Sequence, residues 1–269
     1  MNAITSRQNA IVQRCRDLAR HRHAGGDEVL LDGLHLVCEA LDAGMTVTTA
    51  IVSAKLLASD AGTALCRRLE RAGAALYRAS DAAMEAASPV RTSSGVVVVA
   101  QVARQRTRTV WAPAPALVVC LAGVQDPGNV GAILRAAEAA GATGAIVTQG
   151  SADPLGWKAL RGSMGSALRL PLMVGTTASA ACEEARRLGV RVAATTPLGG
   201  QALYEADFRG PTLLLVGGEG AGLSDDLVAA ADVRIRIPMR APVESLNAAV
   251  AAGVVLFEAH RQRRERAPR

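Results

Sequence analysis

Apolar residues recur at helical spacing across positions 5–22, where Ile11, Val12, Cys15, Leu18 and Ala19 are interleaved with arginines on the other faces. The pattern predicts an amphipathic basic helix, capped by Thr5 or Ser6. Positions 29–31 then read as a short buried strand, 34–43 as a helix and 47–52 as a second strand. Helical patterns follow at 55–72 and 80–87, and 95–102 is a β-branched strand. Strands alternating with helices predict a small α/β domain over residues 1–103.

Residues 104–115 are basic and then proline-bearing, without periodicity, and read as a linker. Beyond it, 117–121, 144–148, 190–195, 212–216 and 233–237 are short aliphatic runs with strand character. Between them, 130–140, 177–188 and 223–230 have helical patterns. Continuous aliphatic strands separated by helices predict a mostly parallel sheet covered on both faces. In such sheets ligands sit beyond the carboxyl ends of the strands, so the informative residues of this domain, 116–269, are expected in its strand-end loops. A last helix, 246–266, is rich in alanine and valine and turns basic at its end.

Composition narrows the picture. Half of the 269 residues are hydrophobic, yet there are only two Phe, two Trp and two Tyr, which excludes a disordered chain and a base-binding sheet built on several exposed rings. No apolar run approaches the ~18 residues that span a bilayer, and no apolar core of a signal peptide follows Arg7, Arg14 and Arg16, so a cytoplasmic protein without membrane partners is expected. Five dispersed cysteines without a CxxC pair read as reduced core filler, and no metal site is expected. The net charge of +6 is uneven: residues 1–22 carry +4, 101–110 carry +3 and 260–269 carry +4, which leaves the remainder at −5. Separate basic segments on an acidic body suit a polyanion such as nucleic acid, although solvated helix faces would give the same arithmetic.

Three strand-end loops combine glycine, proline and polar residues. In Gly123-Val-Gln-Asp-Pro-Gly-Asn-Val-Gly131, Asn129 stands where a helix N-cap is expected, and Arg135 is placed to pair with Glu138 one turn on. Val216-Gly-Gly-Glu-Gly-Ala-Gly-Leu223 lacks the glycine spacing of a pyrophosphate cradle. Its central Glu219 would repel phosphate but accept hydrogen bonds from hydroxyl or amine groups. Ile237-Pro-Met-Arg-Ala-Pro-Val-Glu-Ser-Leu-Asn247 offers Ser245 as an N-cap, or as a hydroxyl presented beside the Asn247 amide. The four histidines form no Ser/His/Asp arrangement.

Together the three loops resemble the three motifs of the SpoU (TrmH-like) RNA ribose 2′-O-methyltransferases of the SPOUT class: Asn129, Gly131 and Arg135; Gly217-Gly218-Glu219-Gly220 with Gly222-Leu223; and Ile237-Pro238-Met239 with Ser245-Leu246-Asn247. Supporting matches are Lys158, Arg161 and Ser163-Met164-Gly165 between the first two motifs, and Leu256-Phe257-Glu258 after the third. The segments Thr5-Ser6-Arg7-Gln8-Asn9, Leu31-Asp32-Gly33 and Thr92-Ser93-Ser94-Gly95 resemble the accessory substrate-binding domain of longer members. Two departures are Asp32 where Glu is usual, and Ala248-Ala249 where Val-Ser is common.

The resemblance implies a fold: a small ribosomal-protein-like α/β RNA-binding domain, then a trefoil-knotted SPOUT domain with a mostly parallel sheet. It also implies a cofactor, S-adenosylmethionine, held by backbone around Thr195, Leu198, Gly217, Gly218, Gly220, Ile237, Met239 and Leu246. The reaction implied is attack of a ribose 2′-hydroxyl on the sulfonium methyl. In the family the residue matching Arg135 is proposed as the base, assisted by a phosphate and by the residues matching Ser245 and Asn247. An arginine side chain stays protonated under ordinary conditions, so the alternative is that Arg135 clamps the target phosphate. Asn129 would then orient Arg135 or the RNA backbone, and Glu219 would order the site.

The family also implies a homodimer and an RNA substrate, ribosomal RNA favoured over tRNA. A tRNA 2′-O-methyltransferase and a non-catalytic RNA-binding or ribosome-assembly factor are the alternative readings. The basic helix and linker, with Arg7, Arg14, Arg16, Arg20, Arg104 and Arg106, are where RNA contacts are expected.

Overall fold

The computed structural model describes residues 1–21, 27–102 and 110–264 of the chain. Contacts divide it into two compact units, Met1–Arg104 with Leu155–Leu168, and Gln105–Pro154 with Arg169–Arg269. The expected RNA contacts Arg104 and Arg106 lie outside the described residues.

The first unit is built on a five-stranded sheet in the order β1-β4-β3-β5-β2. These strands are β1 (Asn2–Ile4), β2 (Glu28–Asp32), β3 (Thr46–Ser53), β4 (Ala75–Ala79) and β5 (Val96–Gln101). β1, β4 and β3 run parallel, and β5 is antiparallel to both β3 and β2. The short strands β1 and β4 escape the hydrophobic pattern because neither is an unbroken buried run.

The basic helix is α1 (Ala10–His21), shorter than expected. Neither Thr5 nor Ser6 caps it; Asn9 does, its Oδ1 accepting from the Ile11 N–H at 2.9 Å. α2 (Leu34–Asp42) follows as predicted. The pattern read as one helix over 55–72 is two, α3 (Ala54–Leu57) and α4 (Asp60–Arg71), because the Ser59 hydroxyl caps a new start by accepting from the Gly62 N–H at 3.0 Å. α5 (Asp81–Ala87) completes the run. Ile4, Val12, Cys15, Leu30 and Ile51 anchor the core between α1, α5 and the sheet.

The segment Leu155–Leu168, distant in sequence, packs with this unit and carries α7 (Trp157–Ser163) against β2. At this contact the Ser88 hydroxyl donates to Asp32 Oδ2 at 2.5 Å. Burial pushes the Asp32 carboxyl above its ordinary range, while Ser88 and the charge of Arg161 pull it back.

The second unit holds a seven-stranded sheet, order β10-β12-β9-β11-β6-β7-β8. Its members are β6 (Leu117–Ala122), β7 (Gly144–Val147), β8 (Leu172–Val174), β9 (Arg191–Thr195), β10 (Gln201–Ala202), β11 (Thr212–Gly217) and β12 (Val233–Arg236). All six pairings are parallel. The four strands β6, β7, β9 and β11 are buried over nearly their whole length, which is why they read as continuous aliphatic runs.

Helices α6 (Pro127–Ala139), α9 (Ala178–Arg187), α10 (Asp225–Ala230) and α11 (Ala248–Arg264) accompany the sheet, and the short α8 (Ser166–Arg169) closes the Leu155–Leu168 segment. α6 and α11 pack closely, a Cβ on Gly253 coming 4.0 Å from the Ala136 methyl.

Part of the basic C-terminal stretch belongs to the framework and not to a free charged surface. Arg261 pairs with Glu258, and the Arg263 guanidinium donates to the carbonyls of Phe208, Pro115, Ala116 and Gly210 at 2.7–3.0 Å. All five cysteines are free, and burial pushes the Cys15 thiol up to about 12, which leaves it inert. Among the described residues no helix is long and apolar enough to cross a membrane, and no cluster of His, Cys, Asp and Glu could hold a metal ion.

Candidate functional site

The carboxyl ends of β12, β9 and β11 open into a crevice of about 440 Å³, formed by the loops that follow these adjacent strands. The glycines of the β11 loop serve backbone packing. A Cβ on Gly218 would sit 2.1 Å from the Gly123 carbonyl oxygen and one on Gly217 2.4 Å from the Gly222 carbonyl carbon, so the loop doubles back on itself and lies against the β6–α6 loop.

Of the residues expected to hold a cofactor, Thr195, Gly217, Gly218, Gly220, Ile237, Met239 and Leu246 line the crevice, and Glu219, Ser245 and Asn247 join them. Leu198 does not line it and is 81% exposed. Val216 and Leu223, the ends of the second loop, supply apolar wall; the sequence reading missed Ile235, which joins them, and Ala248 and Ala251. Position at a strand end or on the first turn of α11 is the one signal that could have found them.

Among the described residues Glu219 is the single charged side chain of the lining, which holds no Lys, Arg or His. The crevice therefore disfavours phosphate and suits a neutral or cationic ligand with hydroxyl or amine donors.

The polar residues form a directed chain of hydrogen bonds, and the caps explain its direction. α6 is capped not by Asn129, as the pattern suggests, but by Asp126, whose Oδ1 accepts from the Asn129 N–H at 2.8 Å, with Pro127 opening the helix. This leaves the Asn129 amide free. At α11 the cap is Asn247 and not Ser245: Asn247 Oδ1 accepts from the Ala249 N–H at 2.9 Å and the Val250 N–H at 3.3 Å. With its oxygen so engaged, Asn247 donates through Nδ2 to Asn129 Oδ1 at 3.0 Å. Asn129 in turn donates through Nδ2 to Glu219 Oε1. Three loops far apart in sequence are thus tied together, and each amide has one orientation that satisfies both its ends.

Arg135 lies a turn and two-thirds beyond Asn129 on α6, exposed and outside the crevice lining. The expected pairing with Glu138 is absent, because Glu138 takes Arg169 at 2.7 Å, and Arg135 makes no hydrogen bond or ion pair among the described residues. A solvent-facing guanidinium without a partner is available to an external anion. In the first unit Arg7 pairs with Glu85 and Arg14 with Glu28, whereas Arg16 and Arg20 have no partner among the described residues.

An all-parallel sheet with a crevice at its carboxyl edge, lined by no cation among the described residues, defines an α/β protein whose crevice suits a small ligand without phosphates. The chain belongs to the SpoU rRNA Methylase family, whose model matches residues 116–257. It is 34% identical over 97% of its length, and 94% of the other chain, to a protein of Synechocystis sp. named as an uncharacterised tRNA/rRNA methyltransferase. It is 40% identical to the 23S rRNA (guanosine-2′-O-)-methyltransferase RlmB of Ralstonia nicotianae, over 55% of this chain and 60% of that one. The crystal structure of the SpoU methyltransferase AviRb from Streptomyces viridochromogenes, in complex with AdoMet, superposes with a TM-score of 0.85 at 29% identity, covering 95% of this chain and 98% of that one.

Proposed function

We propose that this chain methylates a ribose 2′-hydroxyl of ribosomal RNA, with the second unit as the catalytic domain and the first as an accessory domain that binds the RNA. It is an S-adenosylmethionine-dependent RNA 2′-O-methyltransferase. The preference for rRNA over tRNA draws on the RlmB relatives and on the family's own description. The observation that carries the reading is the crevice whose one charge among the described residues is Glu219, braced through Asn129 and Asn247.

The residues present fit the cofactor. An anionic, cation-free lining favours a sulfonium, Glu219 can accept from hydroxyl or amine groups, and Ile237, Met239 and Leu246 offer apolar contact. The cofactor supplies an electrophilic methyl group. What the chain must add is alignment of the 2′-hydroxyl, a place for its proton and a counter-charge for the RNA backbone. Arg135 serves as the phosphate clamp, Ser245 and Asn247 present a hydroxyl and an amide beside the reacting oxygen, and Glu219 orders the crevice through Asn129. The 237–247 segment, which carries the chain from β12 into α11, is where the family's trefoil knot would thread, and an experimental backbone trace closed between its termini tests it.

The hydrogen-bond chain gives a test that separates capping from positioning. Asn247→Asp keeps an oxygen for the α11 cap and loses the donor to Asn129. Thermal stability is expected to hold within about 0.5 kcal/mol, while methyl transfer falls about tenfold, the kinetic equivalent of one lost hydrogen bond. An unchanged rate would show that Asn129 needs no bracing.

A cytoplasmic homodimer is part of the same reading. Val250 and Phe257 on α11 are about half exposed, at 53% and 50%, and with Val254 form an i, i+4, i+7 apolar stripe along a helix that otherwise packs on α6. Sedimentation at micromolar concentration should return twice the chain mass, and Val250→Asp with Phe257→Asp should return one. A wild-type monomer overturns the assignment.

The function itself is tested by methyl transfer from labelled S-adenosylmethionine to total RNA lacking the modification, the product mapped by resistance to alkaline cleavage. Label at one alkali-resistant linkage of large-subunit rRNA is expected. Label in tRNA alone would redirect the substrate, and cofactor binding without any labelled RNA would favour a non-catalytic binding factor.

A further inference from the structure

The first unit carries a second concavity, a cleft of about 260 Å³ between α1 and the end of α5, with Trp157 from the Leu155–Leu168 segment on its wall. Its floor is small and apolar, Ala19, Ala86, Ala87 and Pro89. Its cations are Arg16 and Arg20, one turn apart on α1 and so on one face. Neither has a hydrogen bond or ion pair among the described residues, although the same unit pairs Arg7 and Arg14 with glutamates. The Lys158 ammonium lies 5.6 Å from the Trp157 ring centroid, and among the described residues no acidic side chain lines the cleft. The other tryptophan, Trp111, packs against the core of the second unit, so Trp157 is the one indole available to this face.

A half-buried indole beside two unpartnered guanidiniums is the combination that binds a single-stranded nucleotide, the ring stacking on the base and the cations holding the phosphate. The volume is below that of ordinary ligand pockets, about 300 Å³ and upward, and suits one base with its phosphate outside. We infer that this cleft takes one unpaired nucleotide of the substrate RNA, its base against Trp157 and its phosphate on Arg16 and Arg20. The inference rests on the RNA-methyltransferase reading and adds to it a base-stacking subsite remote in sequence from the three motif loops. The Ser88 hydroxyl is already committed to Asp32, so stacking and charge carry the recognition and little base selectivity is expected.

The test uses the full chain with Trp111→Phe, which leaves Trp157 as the sole tryptophan, and an eight-nucleotide oligoadenylate as probe. Saturable quenching of the indole emission, weakened by added salt, is expected. Independently, Trp157→Ala in the otherwise native chain should lower affinity for large-subunit rRNA about tenfold, with Trp157→Phe restoring most of it and S-adenosylmethionine affinity unchanged. Arg16→Ala with Arg20→Ala should flatten the slope of log affinity against log salt by about 0.7, the loss of one single-strand phosphate contact. Full rRNA affinity in Trp157→Ala, or oligoadenylate saturation without quenching, overturns the subsite while leaving the methyltransferase reading intact. Cofactor binding with no RNA bound or methylated overturns both.

Discussion

Replacing Arg135 with alanine is expected to lower methyl transfer to RNA by about 10²- to 10³-fold while leaving the folded chain and its S-adenosylmethionine affinity unchanged. The structure makes this a clean experiment. Arg135 is exposed, outside the crevice lining and without a partner among the described residues, so its removal leaves no buried group unsatisfied and should alter stability by less than about 0.5 kcal/mol. Had it paired with Glu138, truncation would also have released a carboxylate; Arg169 holds that carboxylate instead, with two hydrogen bonds at 2.7 and 2.8 Å. Arg135→Lys separates the two roles open to the side chain. A phosphate clamp tolerates a point charge with a raised KM and a modest fall in kcat, because lysine keeps the charge and loses the bidentate fork. A base is replaced by a group of different proton affinity, which shifts the pH dependence of kcat. A rate for Arg135→Ala within tenfold of wild type would remove the residue from the reaction.

Arg263→Ala should cost about 3 kcal/mol of stability, seen as a fall of roughly 6–12 °C in Tm for a chain of this size. One guanidinium satisfies four carbonyls: those of Phe208 and Gly210 before β11, and those of Pro115 and Ala116 before β6. The end of α11 is thereby fastened to the starts of two central, adjacent strands. Burial draws the guanidinium below its ordinary pKa, the mark of a charge taken partly out of water. Alanine leaves the carbonyls of Phe208 and Pro115 without a donor, while Ala116 keeps the Thr212 N–H and Gly210 keeps the Thr212 hydroxyl; lysine, with three donors on one nitrogen, can recover only part of the loss. Because this arginine faces the fold, its removal should leave the salt slope of RNA binding unchanged. A Tm within a degree of wild type would show that water substitutes fully for it.

The same residue marks a limit of charge counting. The basic run at 260–269 reads in one dimension like those at 1–22 and 101–110, yet Arg261 and Arg263 are occupied by Glu258 and by backbone. At the N-terminus the reading divides similarly, with Arg7 and Arg14 in ion pairs and Arg16 and Arg20 left to line a cleft. Net charge is additive along a chain, but availability depends on which carboxylate or carbonyl folding brings within hydrogen-bond reach.

Local pattern was enough for the central strands of both sheets, since β5, β6, β9 and β11 are buried at consecutive positions and carry aliphatic runs, and β3 is buried from Thr49 onward with β-branched residues at most positions. It was enough, too, for the three loops and for the exclusion of a phosphate ligand, because a lone glutamate among glycines has the wrong charge wherever the loop lies. It failed at β1, β4, β8 and β10, short strands whose identity comes from a neighbour's hydrogen bonds and not from their own side chains. It failed at the caps, where Asp126 and Asn247 displaced Asn129 and Ser245, since several polar residues near a helix start compete and backbone geometry chooses among them. Above all, the tertiary structure alone decided that Asn247, Asn129 and Glu219, separated by up to 118 positions, form one hydrogen-bonded line, and that Trp157 joins α1 in the first unit. Residue type and spacing determine what a short segment can do, because those forces act over a few bonds; which segments meet is set by burial of the whole chain, which no local window contains.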